Sequence, residues 1–382
     1  MDEEFALISP IFPSSGGVAT YTKYLFDEEI KINKNIVVLA DKLSIKLDEN
    51  KNINRCWDKN LKFPYQLSKE IIKRKIKKIH IQQEMHIFGS KITAFILPFF
   101  ILFLRSIKRE ITVTLHGVVP LNEVDKDFLK ENGYSGNPVL IKLVLKILYS
   151  LICLFSSKII VHEKKFKDYL KDYWVDIDKV YVIGHGIKSK DNLLSKKISR
   201  ERLGLQDKYT FLYFGYVTGY KGIELLMDAL KKIKYNDFNL IFVGSVHPRL
   251  KDEPKYKDYY NNIKDFISND KRCIFSGYVD EKDIDYYFRA ADCSIFPYTV
   301  QMSSSGPMAL AIANENLIIA SESFNSVVLK KLIFKRNPDS LIDLMKQAKT
   351  GKLNSEIKEI ANMKKRLSWT NIAKKTLGVI NK

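Results

Sequence analysis

The sequence predicts an α/β protein made of two Rossmann-like, doubly wound domains that face each other across a cleft. Three observations carry this expectation: the chain length, a series of short continuous apolar runs, and the amphipathic segments between them. At 382 residues the chain is too long for one ordinary core and suits two domains. Runs such as NIVVLA (35–40) and FNLIFVG (238–244) are apolar along most of their length instead of at alternate positions, as in parallel strands covered on both faces. Segments such as KGIELLMDALKKI and EKDIDYYFRAA separate the runs and have helical periodicity, which gives a βαβ rhythm.

Taken in order, the first half offers strands at FALISP (5–10), NIVVLA (35–40), KIHIQQ (78–83), EITVTLH (110–116), SKIIVH (157–162) and KVYVIGHG (179–186). The second half offers YTFLYFG (209–215), FNLIFVG (238–244), RCIFSGY (272–278), CSIFPY (293–298), NLIIAS (316–321) and KLIFK (331–335). Six strands per domain follow. The polar segment IKSKDNLLSKKISRER (187–202) breaks the rhythm and reads as the linker between residues 1–188 and 189–364. RLSWTNIAKKTLGVI, near the end, is one further amphipathic helix.

Two stretches are apolar enough to need a separate account. ITAFILPFFILFL (92–104) contains Pro98 and falls short of the roughly 20 residues that span a bilayer. VLIKLVLKILYSLICLF (139–155) carries Lys142, Lys146 and Ser150 at four-residue spacing, which predicts one polar stripe on an otherwise core-facing helix. A helix lying in a membrane interface, with its lysines toward headgroups, is the other reading.

A formal net charge of +19 favours anionic partners such as nucleotide phosphates or anionic lipid headgroups. No nucleic-acid-binding module is recognisable and the charge is dispersed, which argues against nucleic acid. Cys56, Cys153, Cys273 and Cys293 form no C-x-x-C pair, so neither a zinc site nor a disulfide scaffold is expected, and a reducing cytoplasm suits them. The start, MDEEFALISP, is acidic and then strand-like, unlike a signal peptide.

Ligands of open α/β sheets bind beyond the carboxyl ends of the strands. The loops there carry SPIFPSSGGVATYTKYL, QQEMHIFGS and LHGVVP in the first half, and GYVTGYKG, GSVHP, GYVDE and PYTVQMSSSGPMALA in the second. Gly16 and Gly17 allow close backbone approach to a ligand, and Ser304, Ser305 and Gly306 read as the first turn of a helix whose amides face an anion.

In the order and spacing of these motifs the chain resembles the GT-B glycosyltransferases of glycosyltransferase family 4. The matching elements are the P-x-x-G-G loop (Pro13, Gly16, Gly17), HIQQEMHIFG, VTLHG, VIGHGI, FGYVTGYKGIELLMDAL, FVGSV, FSGYVDEKDIDYYFRAADCSIFPY and SSSGPMALAIANENLIIAS. The SWTNIA helix is similar to the family's last helix, which crosses back to the N-terminal domain, so residues 365–382 join residues 1–188. The resemblance implies a nucleotide-sugar donor, UDP- or GDP-linked, held by the C-terminal domain. It also implies a glycan or lipid-linked acceptor held by the N-terminal domain, with no cofactor or metal.

Lys221 matches the family's lysine at the donor pyrophosphate, and Gly16 and Gly17 match the glycine loop beside the diphosphate. Gly215 and Gly244 end strands that face the donor, and Gly277, Tyr278 and Val279 match the turn that reads the base. His116 matches the histidine next to the transferred sugar. Gln82 and Glu84 fall on the acceptor side, and His185 lies near the linker. Two family glutamates, one at the donor sugar and one at the ribose, are replaced by Gln301 and Ala309, and the family's arginine by Tyr216. The implied reaction is hexosyl transfer with retention by a cytoplasmic enzyme associated with the inner membrane face, the departing phosphate deprotonating the acceptor. The basic segment KEIIKRKIKK (69–78) and the two apolar helices support the membrane face. The alternatives are a GT-B epimerase or phosphorylase, and a non-catalytic nucleotide-sugar-binding protein that has lost its glutamates.

Overall fold

The computed structural model describes residues 4–14, 16–44, 50–131, 136–188, 193–248 and 250–382. It contains two sheets. The first is built from β1 (Phe5–Ile8), β2 (Ile36–Asp41), β3 (Ile53–Trp57), β4 (Lys78–Gln83), β5 (Glu110–Leu115), β6 (Lys158–Val161) and β7 (Val180–Val182), in the order β3-β2-β1-β4-β5-β6-β7. The second is built from β8 (Tyr209–Tyr216), β9 (Phe238–Ser245), β10 (Cys273–Phe275), β11 (Cys293–Phe296), β12 (Leu317–Ser321) and β13 (Ile333–Phe334), in the order β10-β9-β8-β11-β12-β13. Neighbouring strands pair in parallel, for example Phe5 with Ile36 and Lys78. Both sheets are therefore doubly wound, with helices on both faces.

Strand order reverses between β1 and β4 in the first sheet and between β8 and β11 in the second. Crevices open at such switch points because the flanking helices leave on opposite faces. The loops after β1, β4, β8 and β11 therefore converge on the space between the sheets.

The first sheet has seven strands where six are expected. INRCW, the extra edge strand, mixes polar and apolar residues and is only partly buried, so it has no continuous apolar run to reveal it. The expected linker is also shorter than its polar composition suggests. Residues 189–192 lie outside the described residues, but Lys196–Arg202 is a helix packed against helix Ile284–Ala290. Arg202 donates to Asp283 at 2.7 Å, and Lys196 and Arg200 both pair with Asp292. Its polarity reflects salt bridging to the second sheet's layer.

Helix Trp369–Ile380 packs on helix Gly17–Ile32 of the first layer. Leu377 and Ile380 complete a cluster with Phe5, Leu7, Phe26, Ile36 and Val38, and Trp369 and Ile372 join Tyr21, Leu25, Ile160 and Ile183. A Cβ at Gly186 would lie 2.3 Å from the Trp369 ring, so this glycine is what lets the indole seat.

The helix over residues 138–155 is oriented otherwise than its polar stripe predicts. Lys146 lies 3.9 Å above the Trp174 ring, and Ser150 donates to the Tyr173 carbonyl. The stripe thus faces a neighbouring turn of the protein. Val139, Leu140, Leu143, Ile147 and Leu154 are exposed instead, beside Ile92, Phe95, Phe99, Leu102 and Phe103 of helix Lys91–Ser106.

Candidate active site

The loop after β8 turns sharply through Gly219–Lys221 into helix Ile223–Lys232. Gly222 has φ +65°, and a Cβ there would lie 2.0 Å from the Pro297 carbonyl oxygen, so glycine is required by conformation and by space. The turn drives Lys221 inward until only 7% of it is exposed. Its ammonium donates to the Tyr298 hydroxyl and lies 3.9 Å from that ring's centroid. Burial pulls its pKa down to about 8, and among the described residues no carboxylate pairs with it.

The loop after β11 supplies the opposite wall. Ser305 caps helix Gly306–Ala313 by accepting from the Met308 amide at 3.3 Å, and it also meets the Tyr298 hydroxyl at 3.1 Å. Gly306 at the start of that helix and the Lys221 ammonium line one cavity of about 630 Å³, together with Thr218, Ser303, Ser304 and Ser305; Pro307 has no N–H, and the Met308 amide is held by Ser305. The hydroxyl oxygens of Thr218 and Ser304 are buried there without a hydrogen-bond partner among the described residues. One cation, two residues with buried, unpartnered hydroxyls and a helix start thus surround the same space. This is the donor set of an oxyanion site.

On the other side, His116 ends β5 with only 6% exposure. Its Nε2 lies 2.8 Å from Gln82 Oε1 and its Nδ1 lies 3.3 Å from His162 Nε2. His162 Nδ1 in turn meets the Ile183 carbonyl at 3.1 Å. Burial holds His116 well below the usual histidine range and His162 down at about 3, so both rings are neutral. Gln82 is fully buried between His80 and His116. It orients the histidine from behind and does not line the cleft. His185 packs against Tyr21, His162 and Trp369.

The two halves touch through backbone and side chain. Gly117 bridges to Ser303, and the Val118 amide donates to the Met302 carbonyl at 3.0 Å. Gln301 Nε2 donates to Glu163 Oε1 at 2.6 Å, while Lys165 donates to Gln301 Oε1 and to the Ser323 carbonyl. Ser326 completes the cluster on Glu163 Oε2 at 3.2 Å. Gln301 lines the cavity, but its amide is committed to this contact across the cleft.

The remaining sequence-derived positions are more scattered. Glu84 lines the Lys221 cavity and also a second, more apolar cavity of about 520 Å³, which Gly16 lines too. Gly17 begins its helix with open space around it. Gly215 lies 3.9 Å from the Lys221 ammonium, measured from the Cβ it lacks. At Gly244 a Cβ would strike the Phe242 ring at 2.2 Å, so packing alone demands that glycine. Gly277 has φ +61° and turns the chain after β10, leaving Tyr278 exposed and Val279 packed on the core. These three residues line neither cavity. Ala309 is half buried on helix Gly306–Ala313, and Tyr216 stacks edge-on to His247.

Sequence reading missed Thr218, Tyr298 and the Glu163–Lys165 pair. The signal for Thr218 was its place three residues before Lys221, in the same tight turn. Lys165 lies 3.6 Å from Glu163 and only two residues along the chain, but the Gln301 and Ser326 partners of Glu163 are more than a hundred residues away. Among the described residues no group of three or more His, Cys, Asp or Glu side chains is arranged to hold a metal ion.

Comparison with known proteins bears on the family and the fold. Residues 195–362 match the family described as glycosyl transferases group 1. An uncharacterized glycosyltransferase of Methanocaldococcus jannaschii, MJ1607, is 25% identical over 224 residues, which is 53% of this chain and 54% of that protein, so the match spans about half of each. The O-antigen biosynthesis glycosyltransferase WclY of Escherichia coli is 25% identical over 291 residues, 72% of each chain. Among solved structures, sucrose-phosphate synthase of Thermosynechococcus elongatus superposes with a TM-score of 0.72 at 16% identity, covering 99% of this chain and 98% of that one. Anabaena HepE, solved with UDP-glucose, gives a TM-score of 0.67 at 13% identity over 99% of both chains. The chain therefore has the GT-B fold, and its residues 195–362 match the group 1 glycosyltransferase family.

Proposed function

We propose that the protein transfers a hexose, with retention of configuration and without a metal ion, from a UDP- or GDP-linked donor to a glycan or lipid-linked acceptor. The observation that carries this is the Lys221 cavity. A buried ammonium without a carboxylate partner, two residues with buried, unpartnered hydroxyls and a helix N-terminus surround one space. A diphosphate satisfies all of them at once. The group 1 match in 195–362 supports the transfer chemistry, and UDP-glucose in HepE supports a nucleotide-sugar donor.

In this reaction the bond between the anomeric carbon and the diphosphate oxygen breaks, and a bond from the acceptor oxygen forms on the same face. Lys221, Thr218, Ser304 and the amide of Gly306 stabilise the negative charge that collects on the leaving diphosphate. The acceptor proton passes to the departing phosphate oxygen. His116, held neutral by burial and by the histidines around it, contributes shape and a dipole at the sugar, not a charge.

The exposed apolar faces of helices Lys91–Ser106 and Pro138–Phe155 favour work at the cytoplasmic face of an anionic membrane. Pro138–Phe155 is long and apolar enough to cross a membrane by length and composition, but its inner side packs Leu145, Leu148 and Ile152 into the core, so it lies along the surface. Flotation with anionic liposomes tests this, and the absence of salt-sensitive binding would remove the membrane claim.

The donor is tested by thermal shift with UDP, GDP, ADP and their sugars. Only the cognate base should raise the melting temperature, and Lys221→Ala should abolish the shift. No response to any of them, in wild type as in the variant, would reject the donor site.

A further inference from the structure

The transferase reading leaves unused the apolar cavity that adjoins the cleft. It runs between helices Lys91–Ser106 and Pro138–Phe155, has a volume of about 520 Å³, and is walled by Phe95, Phe128, Ile141, Val144, Leu145 and Leu148. We propose that it is the seat of the acceptor's hydrocarbon chain, so that the acceptor is a single-chain amphiphile whose head is glycosylated at the cleft. This rests on the reading of the cleft as a transferase site.

Three observations fix the occupant. The cavity has a polar part and a larger apolar one. Lys59, Gln83, Glu84, His86 and Lys91 supply the polar part, and Gln83 Oε1 is buried without a partner among the described residues, as suits an acceptor for a hydroxyl of the head group. The polar part is continuous with the Lys221 cavity, since Glu84, His86, Lys91, Met302 and Ser303 line both. A molecule filling the apolar part therefore presents its head beside the diphosphate site.

The third observation lies at the open end. Phe95 is both a wall of the cavity and part of the exposed apolar face formed with Phe99, Phe103, Leu140 and Leu143. Apart from Lys146, which packs on Trp174, the two helices carry Lys91, Arg105 and Lys142 and no carboxylate. That charge complements a phosphate-bearing lipid surface, from which a chain could enter without crossing water. A wholly polar glycan would leave the apolar walls in contact with water, at a cost in proportion to their area.

The test uses the full chain with dodecyl phosphate, kept below its micellar concentration, and butyl phosphate as the short-chain control, both read by titration calorimetry. Dodecyl phosphate should bind at least about 100-fold more tightly than butyl phosphate, because its longer chain is buried. Val144→Trp, at a half-buried position on the wall, should weaken dodecyl phosphate binding at least tenfold, by filling the space. It should leave the nucleotide thermal shift in place. Phe99→Ser, on the outer face and outside the cavity lining, should leave dodecyl phosphate binding unchanged while lowering binding to vesicles of phosphatidylglycerol and phosphatidylcholine. Should Val144→Trp fail to fold, Phe95→Ser at the mouth replaces it, with a several-fold loss expected.

Equal affinity for the two phosphates would overturn the proposal. So would loss of dodecyl phosphate binding in Phe99→Ser with retention in the cavity variants, since the chain would then lie on the outer face. Chain binding that behaves as expected in a protein with no response to any nucleotide would sink the transferase reading and leave the chain site standing.

Discussion

Gln301 and Glu163 meet across the cleft at 2.6 Å, the amide of one domain donating to the carboxylate of the other. Glu163 also meets Ser326 at 3.2 Å and the Lys165 ammonium at 3.6 Å; burial pushes its pKa upward, and these three partners oppose that shift. A glutamate at 301, as the resemblance would suggest, would place two carboxylates in contact, with the Lys165 ammonium shared between them. The glutamine is thus explained by what stands opposite it.

Gln301→Glu should therefore destabilise the protein by on the order of 3 kcal/mol or open the cleft. The double variant Glu163→Gln with Gln301→Glu reverses the polarity of the pair and should recover most of that loss. Melting temperatures of the two singles and the double form a cycle that measures the coupling, and additive losses would show that the contact carries no specific energy.

Donor affinity should depend on pH through Lys221. Its cationic form is present below the pKa of about 8 and is lost as pH rises through that value, so KM for the nucleotide sugar should climb above pH 8. Lys221→Arg stays charged and should flatten that limb, whatever it costs in rate. A wild-type profile level to pH 10 would contradict the assignment.

Thr218→Val should separate stability from function. Its hydroxyl is buried and unsatisfied without ligand, so removing it should leave the melting temperature unchanged or slightly higher. Donor affinity should fall by about tenfold, the worth of one hydrogen bond to a charged oxygen. Equal losses in both measurements would mark Thr218 as structural.

Gly117→Ala tests how the halves are held together. Its Cβ would lie 2.7 Å from the Met302 carbonyl oxygen, so the loops after β5 and β11 must part. A loss of about 1–3 kcal/mol is expected, with a larger radius of gyration by small-angle scattering. An unchanged radius and melting point would mean that the contact is incidental.

How much of this could be read from the sequence depended on how local the signal was. Apolar runs revealed the strands buried on both faces, whereas INRCW at the sheet edge carried too little burial to be recognised. Lys221 and the Ser304–Gly306 turn were legible because tight turns have a local sequence signature. The His116 environment was not, since Gln82 and His162 become its partners only when β4, β5 and β6 lie side by side. Helix Pro138–Phe155 misled because its polar stripe pointed to water in one dimension, while Lys146 and Ser150 meet Trp174 and Tyr173 in three.

The seating of Trp369 against Gly186 bears on how the chain is made. A ribosome adding about 5–20 residues per second completes the first sheet's last strand roughly 10 seconds or more before the helix that covers Phe5 and Ile36 emerges. During that interval the nascent first domain displays an uncovered apolar groove. Its maturation is therefore gated by synthesis of the whole second domain, and the groove is where a ribosome-associated chaperone would have to stand guard.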